Sequence, residues 1–159
     1  MKRKLTFDMI IRQMNADDYE QAELLFQKLH NQHVEAEPDL YKKLDCINKK
    51  RDFKKQIKSK NKIMLCAEED GKIIGISNTK FCTSGMTDIK IAFMDALYVE
   101  DEFRGKGIGK KLFLETEHIA KENGAKRLDL HVWEFNADAV NFYKSLGMEI
   151  QRYTFEKNL

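Results

Sequence analysis

Arg104-Gly105-Lys106-Gly107-Ile108-Gly109 lies between an apolar run and an amphipathic stretch, and its reading decides the fold. The run before it is Ile91-Ala92-Phe93-Met94-Asp95-Ala96-Leu97-Tyr98-Val99, part of a strand expected over 88–99. Behind it, Ile108, Leu112, Phe113, Thr116, Ile119 and Ala120 recur three and four apart, which predicts a helix over 107–122. A strand feeding a glycine-rich turn that opens a helix is a place to hold an anion. The free N–H groups of the first turn point outward, and the helix dipole favours negative charge there. Glycine allows close approach and positive φ, while Arg104 and Lys106 add fixed charge. The segment points to a ligand that carries phosphate.

Spacing excludes two familiar phosphate loops. A dinucleotide fingerprint needs G-x-G-x-x-G, and glycines at 105, 107 and 109 bring the third one residue early. A nucleoside-triphosphate loop needs G-x-x-x-x-G-K followed by Ser or Thr, whereas Lys110 is followed by Lys111. What remains is Arg-x-x-Gly-x-Gly at 104, 107 and 109. Further on comes Asn136-Ala137-Asp138-Ala139-Val140-Asn141-Phe142-Tyr143, then Gly147-Met148.

Together with the approach Leu97-Tyr98-Val99-Glu100-Asp101-Glu102-Phe103, these motifs resemble the GNAT superfamily of N-acetyltransferases. That family's pyrophosphate loop reads Gln/Arg-x-x-Gly-x-Gly/Ala, and its later motif reads Asn-x-x-Ala-x-x-Phe-Tyr. The resemblance runs from about residue 88 to the C-terminus and is weak before it. It implies an α/β fold in a single domain over 1–159. The expected sheet is mixed, with about six to seven strands, about four helices and central parallel strands that splay apart. It also implies acetyl-CoA as co-substrate, held by Leu97, Tyr98, Val99, Arg104, Gly105, Lys106, Gly107, Ile108, Gly109, Lys110 and Asn136. The backbone of Leu97 and Val99 would pair with the pantetheine arm, and N–H groups near Leu97 and Tyr98 would face the thioester carbonyl.

The resemblance assigns Tyr143, at the Phe-Tyr position, the role of general acid toward the departing sulfur. A second reading is a packed aromatic with its hydroxyl at the surface. Asp95 is a candidate base or amine-binding carboxylate, since a charge inside an apolar run is costly unless paired or used. Spermidine/spermine acetyltransferases carry a glutamate at the corresponding place. The other reading of Asp95 is a structural ion pair with a neighbour such as Arg127. Glu100 and His131 are lesser candidates, and Trp133 and Phe135 could wall the acyl end. Asn136 can cap a helix over 137–145 and also lie beside the coenzyme.

Bulk properties are those of an ordinary globular domain. The chain has 159 residues, 42% of them hydrophobic and 34% charged, enough to bury a core without staples. A net charge of +2 gives no argument for nucleic acid. Cys46, Cys66 and Cys82 have no C-x-x-C spacing and read as reduced thiols in the cytoplasm. Met1-Lys2-Arg3-Lys4 is basic without the apolar stretch of a signal peptide, and no run is long enough to span a membrane. His30, His33, His118 and His131 show no ligand spacing with the cysteines, so no metal is expected.

Along the chain, the pattern predicts a strand over 9–13 and a helix from an Asn15 cap to about His33. Pro38 stands where a further helix would start, and Leu40 to about Ser59 reads helical with a break near 48–52. Asp70-Gly71 between two apolar runs predicts a hairpin, and Gly85 a turn. The helix over 107–122 ends at Asn123-Gly124. Then follow a strand over 126–133, the helix 137–145, a stop at Gly147 and a final strand from 148 to about 156. This order implies parallel pairing near the sheet centre and an antiparallel front half.

Ten Lys or Arg residues between Lys42 and Lys62 form a basic stripe, read as a solvated face rather than a nucleic-acid surface. Glu35, Glu37 and Asp39 could welcome a cationic amine, or supply charge to the helix behind Pro38. The function expected is acetyl transfer to a primary amine by direct transfer in a ternary complex, since no cysteine falls in the matched motifs. A small polyamine-like or amino-acid-like acceptor is favoured over a protein N-terminus, and the resemblance also implies a homodimer. The alternative is a non-catalytic acyl-CoA sensor that keeps the loop without the chemistry.

Overall fold

The computed structural model describes residues 9–83 and 85–159. The basic start at Met1–Lys4 lies outside the described residues. In chain order come β1 (Ile10–Gln13), α1 (Tyr19–Ala36), α2 (Lys50–Gln56), β2 (Lys62–Glu69), β3 (Lys72–Thr83) and β4 (Lys90–Val99). They are followed by α3 (Ile108–Glu122), β5 (Arg127–Leu130) and α4 (Ala137–Ser145). The sheet order is β1-β2-β3-β4-β5, antiparallel through β4, with β5 parallel to β4. The α/β class, the four helices and the antiparallel front half are as expected. None of the described helices is long and apolar enough to cross a membrane.

Each element has a local cause. Asn15 and Asp18 form a capping box that opens a short 3-10 turn leading into α1. The β2–β3 hairpin turns at Asp70 and Gly71, with φ of 52° and 76°, the left-handed pair a two-residue hairpin requires. Below the sheet, α1 and α2 bring Ala22, Leu25, Phe26 and Phe53 against Met64, Cys66, Ile76 and Tyr98. Above it, α3 brings Ile108, Leu112 and Ala120 against Ile63, Leu65, Ile74 and Ala92. Burying a side chain the size of Phe53 contributes about 1.5–3 kcal/mol.

Three expectations are corrected. The described sheet has five strands, not six to seven, because 148–156 adds none. Its apolar positions Met148, Ile150, Tyr153 and Phe155 change parity between 150 and 153, so no single face can be buried. Ile150, Tyr153 and Phe155 are exposed. The parallel pair therefore lies at the sheet edge rather than its centre. Finally, 40–49 is not helical, and Pro38 follows the end of α1 instead of starting a helix. Side chains of α1 hold that loop by its backbone. Glu23 accepts from the amides of Ile47 and Asn48, Gln27 donates to the Asp45 carbonyl, and Tyr19 donates to that of Asn48. The basic stripe lies on exposed positions around the single buried Phe53 of α2, except Lys62, which is half-buried at the start of β2.

A one-residue bulge interrupts β4. Asn78 pairs with Ala96 and Thr79 with Met94, so Asp95 has no partner position on β3. The extra residue switches the strand's parity. Ala92 packs on the α3 side, whereas Ala96 and Tyr98 pack on the α1 side, with Leu97 and Val99 against α3.

Candidate active site

The glycine-rich loop forms the start of α3. Gly105 and Gly107 adopt φ of 73° and 80°, and Gly107 is the helix cap with no side-chain hydrogen bond. Among the described residues, the N–H groups of 105–110 donate to no acceptor in the chain, and the first helical amide bond is Lys111 to Gly107. Such a row of amides at the positive end of a helix dipole is an anion cradle. Ile108 sends its side chain into the core, so only its amide serves the cradle. Arg104 is already held, donating from Nε to the Val99 carbonyl at 3.0 Å and pairing with Asp101 at 2.8 Å. Lys106 stands 4.9 Å from the centroid of the Phe103 ring. Lys110 follows on the exposed face of the first turn.

Beside the cradle the sheet opens. Pairing of β4 with β5 covers only Ile91–Met94 against Arg127–Leu130, so, among the described residues, no strand flanks 95–99 on that side. The Glu100 amide donates to the Ile74 carbonyl on β3. Main-chain groups alternate along an antiparallel pair, so those of Tyr98 also face β3, while those of Leu97 and Val99 face the gap. The Val99 carbonyl there is taken by Arg104, which leaves the Leu97 amide and carbonyl and the Val99 amide. The Tyr98 ring turns the other way, into the α1 core beneath Arg104, and burial raises its hydroxyl above the usual range.

Helix α4 stands over the same end. The Phe142 ring comes 3.5 Å, and a Val99 methyl 3.8 Å, from the position a Gly109 Cβ would take. Asn136 caps α4 by accepting from the Ala139 amide at 3.2 Å. Tyr143 packs against Phe113 and Phe142, and burial pushes its hydroxyl up to about 12. Asp95 sits on the opposite face of the sheet, bound by Lys80 Nζ at 2.8 Å. Its partner is thus Lys80 on β3 and not Arg127, which pairs with Asp129. Both oxygens of Glu100 accept from Lys28, at 2.7 and 2.8 Å, at the edge of a cavity of about 360 Å³ that Tyr98 also lines. Cys66 is buried with its thiol pushed up to about 12 by burial, an inert position for a nucleophile.

One group escaped the sequence reading. Tyr41, in the loop after α1, stacks on His33 at 5.3 Å and meets Trp133 edge to face at 6.1 Å. Trp133 in turn stacks on Phe135 at 5.9 Å. Residues 41 and 133 are far apart in sequence, and neither the helical spacing expected from Leu40 nor the strand expected over 126–133 links them. Nearby, Phe93 meets His131 edge to face at 4.9 Å.

Comparison with known proteins gives a consistent picture. Residues 22–148 match the acetyltransferase (GNAT) family. The thialysine N-epsilon-acetyltransferase of Bos taurus is 35% identical over 57 residues, 36% of this chain and 34% of that protein. The chain thus spans about a third of the length of the first curated relatives it matches. The crystal structure of a tetramutant of the BH1408 protein from Bacillus halodurans has a TM-score of 0.88 at 28% identity, covering 95% of this chain and 100% of that one. An aminoglycoside N-acetyltransferase, AAC(6')-Iy, in complex with CoA has a TM-score of 0.73 at 19% identity, covering 94% and 99%.

Proposed function

This chain belongs to the acetyltransferase (GNAT) family, and from that we propose that it moves the acetyl group of acetyl-CoA directly to a primary amine. The observation that carries the reading is the row of unpartnered amides at 105–110 beside the open edge of β4. The cradle suits a diphosphate, and the free groups of Leu97 and Val99 suit an amide-bearing arm laid along the gap. Acetyl-CoA supplies the activated acyl group, so the protein's part is orientation and charge. The amide of Leu97 is the proposed donor to the carbonyl oxygen, a contact worth about 3 kcal/mol in a dry site. As the C–N bond forms and the C–S bond breaks, the amine loses a proton to solvent water and the sulfur gains one. Tyr143 is the proposed donor to sulfur.

The acceptor would approach from the α1 face, where thialysine and aminoglycosides, acted on by relatives, suggest a small cationic amine. The same reading sets the protein in the cytoplasm as a homodimer, and its three free cysteines suit a reducing compartment. Following thiol release from acetyl-CoA with a panel that includes thialysine and an aminoglycoside tests it. Turnover on any amine supports the enzyme. Binding of CoA with no turnover on any amine leaves the sensor reading in its place.

Asp95 is proposed to pin the bulge through Lys80 rather than to act as the base. On this account Asp95→Asn keeps the acid limb of the pH–rate profile where the parent has it. A displaced limb would return the carboxylate to the role of proton acceptor.

A further inference from the structure

A row of free amides grips an anion well only when the chain that carries it is already held in place. The turn that leads into this row, Asp101–Phe103, has no fully buried residue, and Phe103 packs only in part against the α3 layer. Its own bonds are short-range. The Phe103 amide donates to the Glu100 carbonyl at 2.9 Å, and the Arg104 amide to that of Asp101 at 3.2 Å. The Arg104 side chain adds a brace, but to Val99 and Asp101, within the same stretch of chain. Behind the turn lies the cavity of about 360 Å³, with Lys28, Asn31 and Gln32 of α1 on one wall and Tyr98, Glu100 and Asp101 on the other. Packing on α1 therefore does little to fix the turn.

One contact joins the two walls. Lys28 Nζ donates to both oxygens of Glu100, at 2.7 and 2.8 Å, between residues 72 apart in sequence. Among the described residues it is the one hydrogen-bonded link between α1 and the turn. The Glu100 side chain is 13% exposed and that of Lys28 42%, so the carboxylate is largely withdrawn from water and the lysine stem reaches in from the surface. Such a pair holds better than Lys50 with Glu20, where both partners are more than half exposed. The Glu100 amide is fixed at the same time to the Ile74 carbonyl on β3. Residue 100 is thus tied to the sheet by its backbone and to α1 by its side chain, just where β4 gives way to the loop.

We propose that Lys28 is a positioning residue for the coenzyme loop, which through Glu100 sets where the amides of 105–110 point. The assignment rests on the acetyl-CoA reading for the identity of the ligand, though not for the tether itself. Position and charge have opposite signatures here. Lys28→Met removes a positive charge and Glu100→Ala a negative one. A pair acting only through its field would make the first variant bind an anion more weakly and the second more tightly. A tether makes both bind it more weakly.

Calorimetry with CoA is run on the parent, Lys28→Met, Glu100→Ala, the double variant and Lys28→Arg. Each of the first two variants is expected to lose about tenfold in affinity, and the double variant no more than either. Lys28→Arg should stay within about threefold of the parent. Lys50→Met, which breaks the exposed pair with Glu20, should change nothing. Hydrogen exchange on the ligand-free proteins reads the tether without the coenzyme. The Phe103 and Arg104 amides should exchange about tenfold faster in Lys28→Met and Glu100→Ala, with the β2–β3 amides as the control for folding. Opposite shifts in affinity, additive losses, or an equal loss in Lys50→Met overturn the proposal. So does unchanged exchange of the two amides. A parent that binds no CoA, with exchange still faster in both variants, removes the acetyl-CoA reading and leaves the tether. CoA bound equally by the parent and both variants removes the positioning role alone.

Discussion

Replacing Tyr143 with phenylalanine is expected to lower kcat about 10²-fold or more while leaving affinity for CoA within about twofold. The ring's packing on Phe113 and Phe142 survives the change, so only the hydroxyl is lost. Burial pushes that hydroxyl up to about 12, which keeps it protonated through the whole working range. A buried phenol is a weaker acid than a free one. The departing thiolate in the same dry gap is raised for the same reason, so donor and acceptor stay matched. Steady-state kinetics with saturating acetyl-CoA measures the effect, and an unchanged kcat removes Tyr143 from the chemistry. The raised value has a second consequence. The folded chain holds this proton more tightly than the unfolded one, so the contribution to stability is complete below pH 10 and lost as pH rises toward about 12. Thermal melts across that window should show a loss in the parent that Tyr143→Phe lacks.

Gly107→Val should weaken CoA binding about 100-fold or more. A φ of 80° costs a β-branched residue about 1–2 kcal/mol or more, and relief of that strain turns the amides of 105–110 away from a common point. Loss of two charge-assisted hydrogen bonds at about 1.5–3 kcal/mol each gives the expected factor. Strain alone can be separated from the ligand effect at the other end of α3. Gly124 has a φ of 79°, so Gly124→Val should lower the melting temperature comparably and leave CoA affinity intact. Calorimetry on both variants decides. Equal affinity in the Gly107 variant and the parent would show that the cradle does not hold the ligand.

Much of this was legible in the chain because it is written locally. The Asp70-Gly71 hairpin, the Asn15 and Asn136 caps and the apolar spacing of α3 each act over a few residues, and each stands where the pattern put it. The glycine loop was legible for the same reason. What failed was set by contacts distant in sequence. The stretch 40–49 has helical spacing, yet Glu23, Gln27 and Tyr19 of α1 bind its backbone and hold it open. The charge of Asp95 was expected to need a partner, but Lys80 could be identified only from the β3–β4 register. Tyr41 and Trp133 meet across more of the chain than any periodicity spans.

The bulge at Asp95 makes the length of β4 matter more than its composition. A chain with that position deleted would turn Tyr98 toward α3 and Leu97 toward α1, exchanging their layers while every other residue stayed the same. Swaps of one side chain for another along this strand are local events, but gain or loss of a single residue inverts half the wall of the gap. Tolerance to indels should therefore be lowest here, in a strand whose one extra residue joins two hydrophobic layers in sequence.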